Sequence, residues 1–197
     1  MNTAINLSIK VKQHLSTIII ALAATTMLAF ASCKDTTAKH APTQHENNDT
    51  AKAEAKTIPD IELPDFDRNN ISLLTEAAKH TLTIVDFWAS WCGPCRAEIP
   101  GLVSLYRKEK NKGLGIVGIS LDSDYHAWRQ AVSDNKMTWT HMCDLRGWDS
   151  YAVQTYGISS IPQTFVIDSK GALLATGLRG KELAQFVTER LDKTKRK

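Results

Sequence analysis

Two short runs constrain the fold more than anything else in this chain: "LTIVDFW", Leu82 to Trp88, and "LGIVGIS", Leu114 to Ser120. Both are apolar and rich in β-branched residues, without the strict alternation of a strand that shows one face to water. Runs of this kind form central strands covered on both faces. A polar segment with helical spacing follows each of them, Arg96 to Lys112 after the first and Tyr125 to Asn135 after the second. Strand, helix and strand in this order imply right-handed crossovers and a parallel core. Further on, "QTFVID", "SKG" and "ALLATG" read as strand, tight turn and strand, an antiparallel hairpin with Gly171 in the left-handed position. A last helix, Lys181 to Asp192, spaces Leu183, Phe186, Val187 and Leu191 along one face. The expected fold class is therefore α/β, a mixed central sheet with helices on both sides.

With 197 residues and 43% hydrophobic content, the chain can supply one ordinary domain with a real core and some extra segments. No internal repeat is visible. The formal net charge is only +3, and Lys10 and Lys12 lie in an N-terminal leader, which leaves the remainder near +1. Apart from the tail Lys193, Lys195, Arg196 and Lys197, basic residues do not cluster. So sparse a charge cannot neutralise a phosphate backbone, and nucleic acid is not expected as a partner.

The leader itself is informative. Lys10 and Lys12 precede "LSTIIIALAATTMLAFAS", and the polar "CKDTTAKH" follows. A basic start, an apolar middle and small residues at the end are the parts of an export signal, expected over residues 1–32. "AFASC" resembles the lipobox of bacterial lipoproteins, although Phe30 stands where Leu is usual. That resemblance implies lipidation of Cys33 and a membrane anchor, each buried methylene contributing about 0.8 kcal/mol. Cleavage after "AFA" or an uncleaved apolar anchor are the alternatives, and all three put the folded part outside the cytoplasm. Between Lys34 and Thr57 there is no aromatic and no sizeable apolar residue. Residues 33–57 are thus expected to be a flexible tether, and 58–197 the folded domain.

Cys92-Gly93-Pro94-Cys95 falls where the first central strand gives way to a helix. A cysteine at a helix start faces free backbone amides and the positive end of the dipole. Its pKa falls from about 8.5 towards 7 or lower, and only the thiolate attacks disulfides. Pro94 has no amide hydrogen to lose in a first turn, and Cys95 is close enough to close a small ring. Cys92 is then the attacking thiol and Cys95 the resolving one. The apolar neighbours of Asp86 on both sides point to a buried carboxyl.

The segment "VDFWASWCGPC" resembles the active-site segment of thioredoxins. "CRAEIP" with "YGISSIPQTFVID" resembles the membrane-anchored TlpA/ResA-like branch of that superfamily, and the likeness covers about residues 58–192. It implies a thioredoxin fold with an N-terminal β extension and an insertion in the middle. It further implies that Asp86 takes the proton from Cys95 and that Trp91 shields the pair. Pro100 would kink the active-site helix, and Ile161-Pro162 would be a cis-proline turn facing the dithiol. Trp91, Gly93, Pro94, Ile161 and Pro162 would together receive the substrate. A buried carboxyl has its pKa raised, which suits proton exchange near neutrality. A cis-proline turn lets the preceding backbone pair with an extended client.

Two departures from the relatives stand out. Many ResA-like proteins carry a carboxylate inside the CxxC and a neutral residue at the Asp86 position, whereas this chain has Gly93 and Asp86. Thioredoxins usually place a lysine on the adjacent strand, and "GIVGISLD" has none. The Gly-Pro dipeptide points to the reducing end of the range, roughly −270 mV for thioredoxin against about −120 mV for DsbA.

The resulting expectation is an extracytoplasmic oxidoreductase that reduces disulfides of client proteins. It would use no cofactor beyond the Cys92-Cys95 disulfide, act as a monomer, and be recharged by a membrane or extracytoplasmic electron donor. The alternatives are a thioredoxin-fold metal carrier and a peroxidase-type redoxin. Zinc needs four ligands and only His141-x-Cys143 is on offer nearby, while a peroxidatic cysteine normally follows Thr and lacks a partner two residues on. Cys143 reads as a buried or half-buried small hydrophobe, or else an accessory thiol or crosslink; Trp128, Trp139 and Trp148 read as core and rim packing, His126 and His141 as solvated or core, and Arg96 and Glu98 as helix-surface charges, with partner recognition as their alternative.

Overall fold

The structure, a computed structural model, describes residues 56–195. The expected leader, the Cys33 lipidation site and most of the expected tether lie outside the described residues.

A small hairpin comes first: β1 (Glu62–Pro64) pairs antiparallel with β2 (Asn70–Ser72). Helix α1 (Leu73–Ala77) follows, capped by Ser72, whose Oγ accepts the Thr75 N–H at 3.0 Å. This hairpin is the N-terminal β extension. The sheet proper contains β3 (Leu82–Trp88), β4 (Leu114–Ser120), β5 (Thr140–Met142), β6 (Gln163–Asp168) and β7 (Leu173–Thr176), in the order β5-β4-β3-β6-β7. Strands β3, β4 and β5 are parallel, β6 runs antiparallel to β3, and β7 antiparallel to β6. Both central runs coincide with their strands end to end and are buried throughout.

The helices are α2 (Gly93–Glu109), α3 (Tyr125–Asp134), α4 (Tyr151–Tyr156) and α5 (Gly180–Lys195). The first of these starts three residues before the expected Arg96. Gly and Pro read as helix breakers, yet at the first two positions of a helix neither costs a hydrogen bond. α2 also continues through Pro100. Successive side chains of β3 point to opposite faces. Leu82, Ile84 and Trp88 pack with Ile99 and Leu102 of α2, Trp128 of α3 and Leu183 and Val187 of α5, whereas Val85 and Phe87 pack with Leu73 of α1 and Ala152 of α4.

Two glycines are required by contacts. Gly171 (φ +78°) turns β6 into β7, with its N–H bonded to the Asp168 carbonyl at 3.0 Å. Gly118, opposite Asp86 in the register, leaves room for the buried His141 and Trp88: a Cβ there would sit 2.7 Å from His141 Nδ1 and 3.3 Å from Trp88 Nε1. Backbone pairing also begins just upstream of Ile58. Thr57 bridges to Ala172, the Leu173 N–H bonds Lys56 O, and the Ile58 N–H bonds Gly171 O, both at 3.0 Å. The chain therefore enters the domain beside the β6–β7 turn. Leu82 pairs with Asp168 at that end of the sheet, and Phe87 pairs with Gln163 at the other.

Candidate active site

At the C-terminal end of β3, Ala89 to Trp91 lead into α2, and Cys92 is the N-cap of that helix. Its Sγ accepts the Cys95 N–H at 3.2 Å. Cys92 and Cys95 are joined as a disulfide with their Cα atoms 5.3 Å apart. They are 5% and 3% exposed, so the disulfide meets solvent only marginally. Gly93 and Pro94, exposed, form the outer part of the first turn. The indole of Trp91 is 55% exposed and flanks the pair at the surface.

The loop before Cys92 is held from below by Asp122. This buried carboxylate accepts the Ser90 N–H at 2.9 Å, the Ser90 hydroxyl at 2.5 Å and the Ser120 hydroxyl at 2.6 Å. The Leu121 N–H donates to Trp88 O at 2.8 Å and continues the β3–β4 pairing to the rim. Three charge-assisted or hydroxyl bonds to one buried group fix a loop more firmly than exposed contacts do.

Asp86 is 4% exposed, on the β3 face that carries Ile84 and Trp88 and hence Cys92 and Cys95. Burial pushes its carboxyl from 3.8 up to about 7; the Glu98 carboxylate adds to the rise and the Arg179 guanidinium opposes it. Glu98, one turn after Cys95 on α2, is therefore more than a surface charge. Burial raises its own pKa, and Arg179 Nε lies 3.9 Å from its Oε1. Arg179 in turn donates from Nη2 to the carbonyl of Pro162. The Ile161-Pro162 peptide bond is cis, and it immediately precedes Gln163, which pairs with Phe87 near the end of β3. The turn thus lies at the same end of the sheet as the cysteines. The cation that "GIVGISLD" lacks is supplied by Arg179, from the segment before α5. Sequence reasoning missed this residue, because no spacing rule links it to Asp86. For Glu98 a signal existed: position i+3 from Cys95 shares its helix face.

Two further polar candidates, His141 and Cys143, are buried and uncharged. His141 is buried against Trp88 and Trp139, with its pKa pulled down to about 4 by burial, so it is neutral. Cys143 is buried and its thiol is pushed up to about 11 by burial, which keeps it protonated and unreactive. Among the described residues no three His, Cys, Asp or Glu side chains converge in a way that could hold a metal ion. Nor is any described helix long and apolar enough to cross a membrane.

Fold and site together define a thioredoxin-like protein with a dithiol at the start of its active-site helix. The chain belongs to the AhpC/TSA family, whose sequence profile matches residues 55–176. Among curated relatives, the thiol-disulfide oxidoreductase ResA of Bacillus thuringiensis is 28% identical over 138 residues, covering 70% of this chain and 76% of that protein. Among solved structures, the C-terminal domain of a putative thiol-disulfide oxidoreductase from Bacteroides thetaiotaomicron superposes with a TM-score of 0.65 at 32% identity. It covers 71% of this chain and 96% of its own. A thiol-disulfide oxidoreductase from Bacteroides fragilis gives 0.63 at 30% identity, with 68% and 98% covered. In class this chain is a thioredoxin-like thiol-disulfide oxidoreductase.

Proposed function

We propose that the protein reduces disulfides of client proteins outside the cytoplasm, with Cys92 as nucleophile, Cys95 as resolving thiol and Asp86 as proton acceptor. The observation that carries the assignment is Cys92 at the N-cap of α2, where the helix dipole and free amides favour a thiolate. In the first step the Cys92 thiolate displaces one client sulfur, which leaves as a thiolate, and a mixed disulfide forms. In the second, Cys95 loses its proton to Asp86 and its sulfur attacks Cys92 Sγ. The client's second sulfur departs, and the Cys92–Cys95 disulfide remains. Two electrons pass to the client, so a dithiol donor must reopen the ring before the next turnover.

A carboxyl poised at about 7 can accept that proton near neutrality and hand it on. The turn at Pro162, held by Arg179, offers the Ile161 backbone to an extended client segment as an added strand would. Trp91, Gly93 and Pro94 line the approach to Cys92. The leader and Cys33 support attachment to a membrane as a lipoprotein, with residues before Lys56 as the tether.

The experiment is a trap. Cys95→Ser should accumulate clients bonded covalently to Cys92, released by reductant, and Cys92→Ser should trap none. If Cys95→Ser captures no protein from an extracytoplasmic extract and does not open a peptide disulfide, the reading is wrong. Mass spectrometry of the mature chain should find an acylated Cys33; an unmodified start at Ser32 or an intact leader rules the lipid anchor out.

A further inference from the structure

The large hydrophobic side chains exposed among the described residues are Trp91, Leu145, Trp148 and Tyr151. They are not scattered. One adjoins Cys92, and the other three lie within the seven residues from Leu145 to Tyr151, between β5 and the first residue of α4. The two groups meet: the ring centroids of Trp91 and Trp148 are 6.5 Å apart, inclined at 51°. Contiguous exposed apolar surface of this kind marks an interaction site, because isolated exposure would not bring two indoles together.

The segment that carries Trp148 is built to stay put. Asp144 accepts the Arg146 N–H through Oδ1 at 3.2 Å and the Tyr151 N–H through Oδ2 at 2.9 Å. The buried Cys143 donates from Sγ to Asp122 O at 3.5 Å and accepts the Leu145 N–H at 3.3 Å. Leu145 is held at φ +58°, a backbone state that costs a branched side chain energy and persists only where surroundings impose it. Asp122, which holds Ser90, thus also accepts through its carbonyl from Cys143, where the segment carrying Trp148 begins.

We infer that Trp91 and Trp148 form a two-indole clamp for an apolar side chain of the client, one or two residues from the cysteine that becomes bonded to Cys92. This rests on the oxidoreductase reading and names the client segment it prefers. A side chain packed against two adjoining indoles gains large contact area at little conformational cost, which is why Trp dominates interface hot spots. The occupant is the client segment itself, because Trp91 is the covalent neighbour of the attacking cysteine. Anything bonded to Cys92 Sγ is delivered to the clamp. Since Arg146 and Asp149, of opposite sign, flank Trp148 at the exposed surface, charge does not select the partner.

The test is single-turnover reduction by the reduced protein, freed of reductant, of peptide disulfides that differ only beside the cysteine: Leu or Trp, Gly, or Lys. The Leu and Trp peptides should react about fivefold to tenfold faster than the Gly peptide, and the Lys peptide at the Gly rate. Trp148→Ala should bring the ratio close to one, and Trp148→Phe should keep most of it. A second measurement needs no Trp148 variant. In Cys95→Ser bonded to the Leu peptide, the indole N–H resonances of both Trp91 and Trp148 should shift relative to the Gly adduct. Equal rates for all peptides, a Trp148→Ala ratio like wild type, or an unmoved Trp148 resonance overturns the clamp alone. If neither peptide is opened, the oxidoreductase reading falls and the clamp with it. A Trp148 fluorescence response to zwitterionic vesicles without one to the Leu peptide also overturns it, in favour of lipid.

Discussion

The guanidinium of Arg179 lies 3.9 Å from the Glu98 carboxylate while donating to the carbonyl of Pro162, so a single cation joins the cis-proline turn to the acidic side chains Glu98 and Asp86. Arg179 lowers the Asp86 pKa and Glu98 raises it. If Asp86 accepts the Cys95 proton as proposed, resolution requires it ionised, and the rate should climb with pH through about 7. Arg179→Met should move that inflection to higher pH and Glu98→Gln to lower pH, each by on the order of one pH unit. Stopped-flow decay of a Cys92 mixed disulfide across pH 5.5 to 9 reads both. Inflections that move together, or not at all, would remove Arg179 and Glu98 from the proton's surroundings.

Asp86 also sets how stability depends on pH. Its folded pKa lies above its unfolded one, so the carboxyl favours the folded state fully below about 3.8 and loses that contribution as pH rises through about 7. The difference corresponds to about 4 kcal/mol. Asp86→Asn in the oxidised protein should match wild type near pH 4 and exceed it by roughly 2 to 4 kcal/mol at pH 8. Its mixed disulfides should resolve about a hundredfold more slowly. Urea unfolding at the two pH values checks the first part; a constant offset between them would contradict it.

Asp122 takes three hydrogen bonds in a buried position. Asp122→Ala strips Ser90 of both its partners and should cost about 1 to 3 kcal/mol in chemical denaturation. Asp122→Asn, which keeps one acceptor oxygen, should cost less. Because the loop leads directly into Trp91 and Cys92, the alanine variant should also slow disulfide opening, and an unchanged rate would separate the loop's order from its chemistry.

Gly118→Ala tests the packing under Asp86. The added methyl meets His141 and Trp88, both buried, so neither can swing aside into solvent. A loss of about 1 to 3 kcal/mol is expected in thermal or urea unfolding. A neutral result would mean that His141 repacks at no cost.

What could be read in the sequence was what repeats or spaces regularly. Leu82–Trp88 and Leu114–Ser120 were legible to the residue because a doubly covered strand is apolar at most of its positions rather than at alternate ones. The hairpin at Gly171 and the start of α3 at Tyr125 carried equally local signals, a left-handed glycine and an Asp124 cap whose Oδ1 accepts the Ala127 N–H at 2.9 Å. The short strand Thr140–Met142 and the short helix Tyr151–Tyr156 carried no such signal, since neither is long enough to show a period. In the site, Cys92, Cys95 and the burial of Asp86 followed from the motif and its apolar flanks. Arg179, Asp122 and Trp148 did not. Each acts on the motif from far along the chain, and only the sheet order brings them to it.

The pairing of Lys56 to Ile58 beside the β6–β7 turn gives the domain a direction. Cys92 stands at the opposite end of β3, about 20 Å away along the strand. The residues through which the chain enters the described domain and the sulfurs that react therefore mark the two ends of one strand.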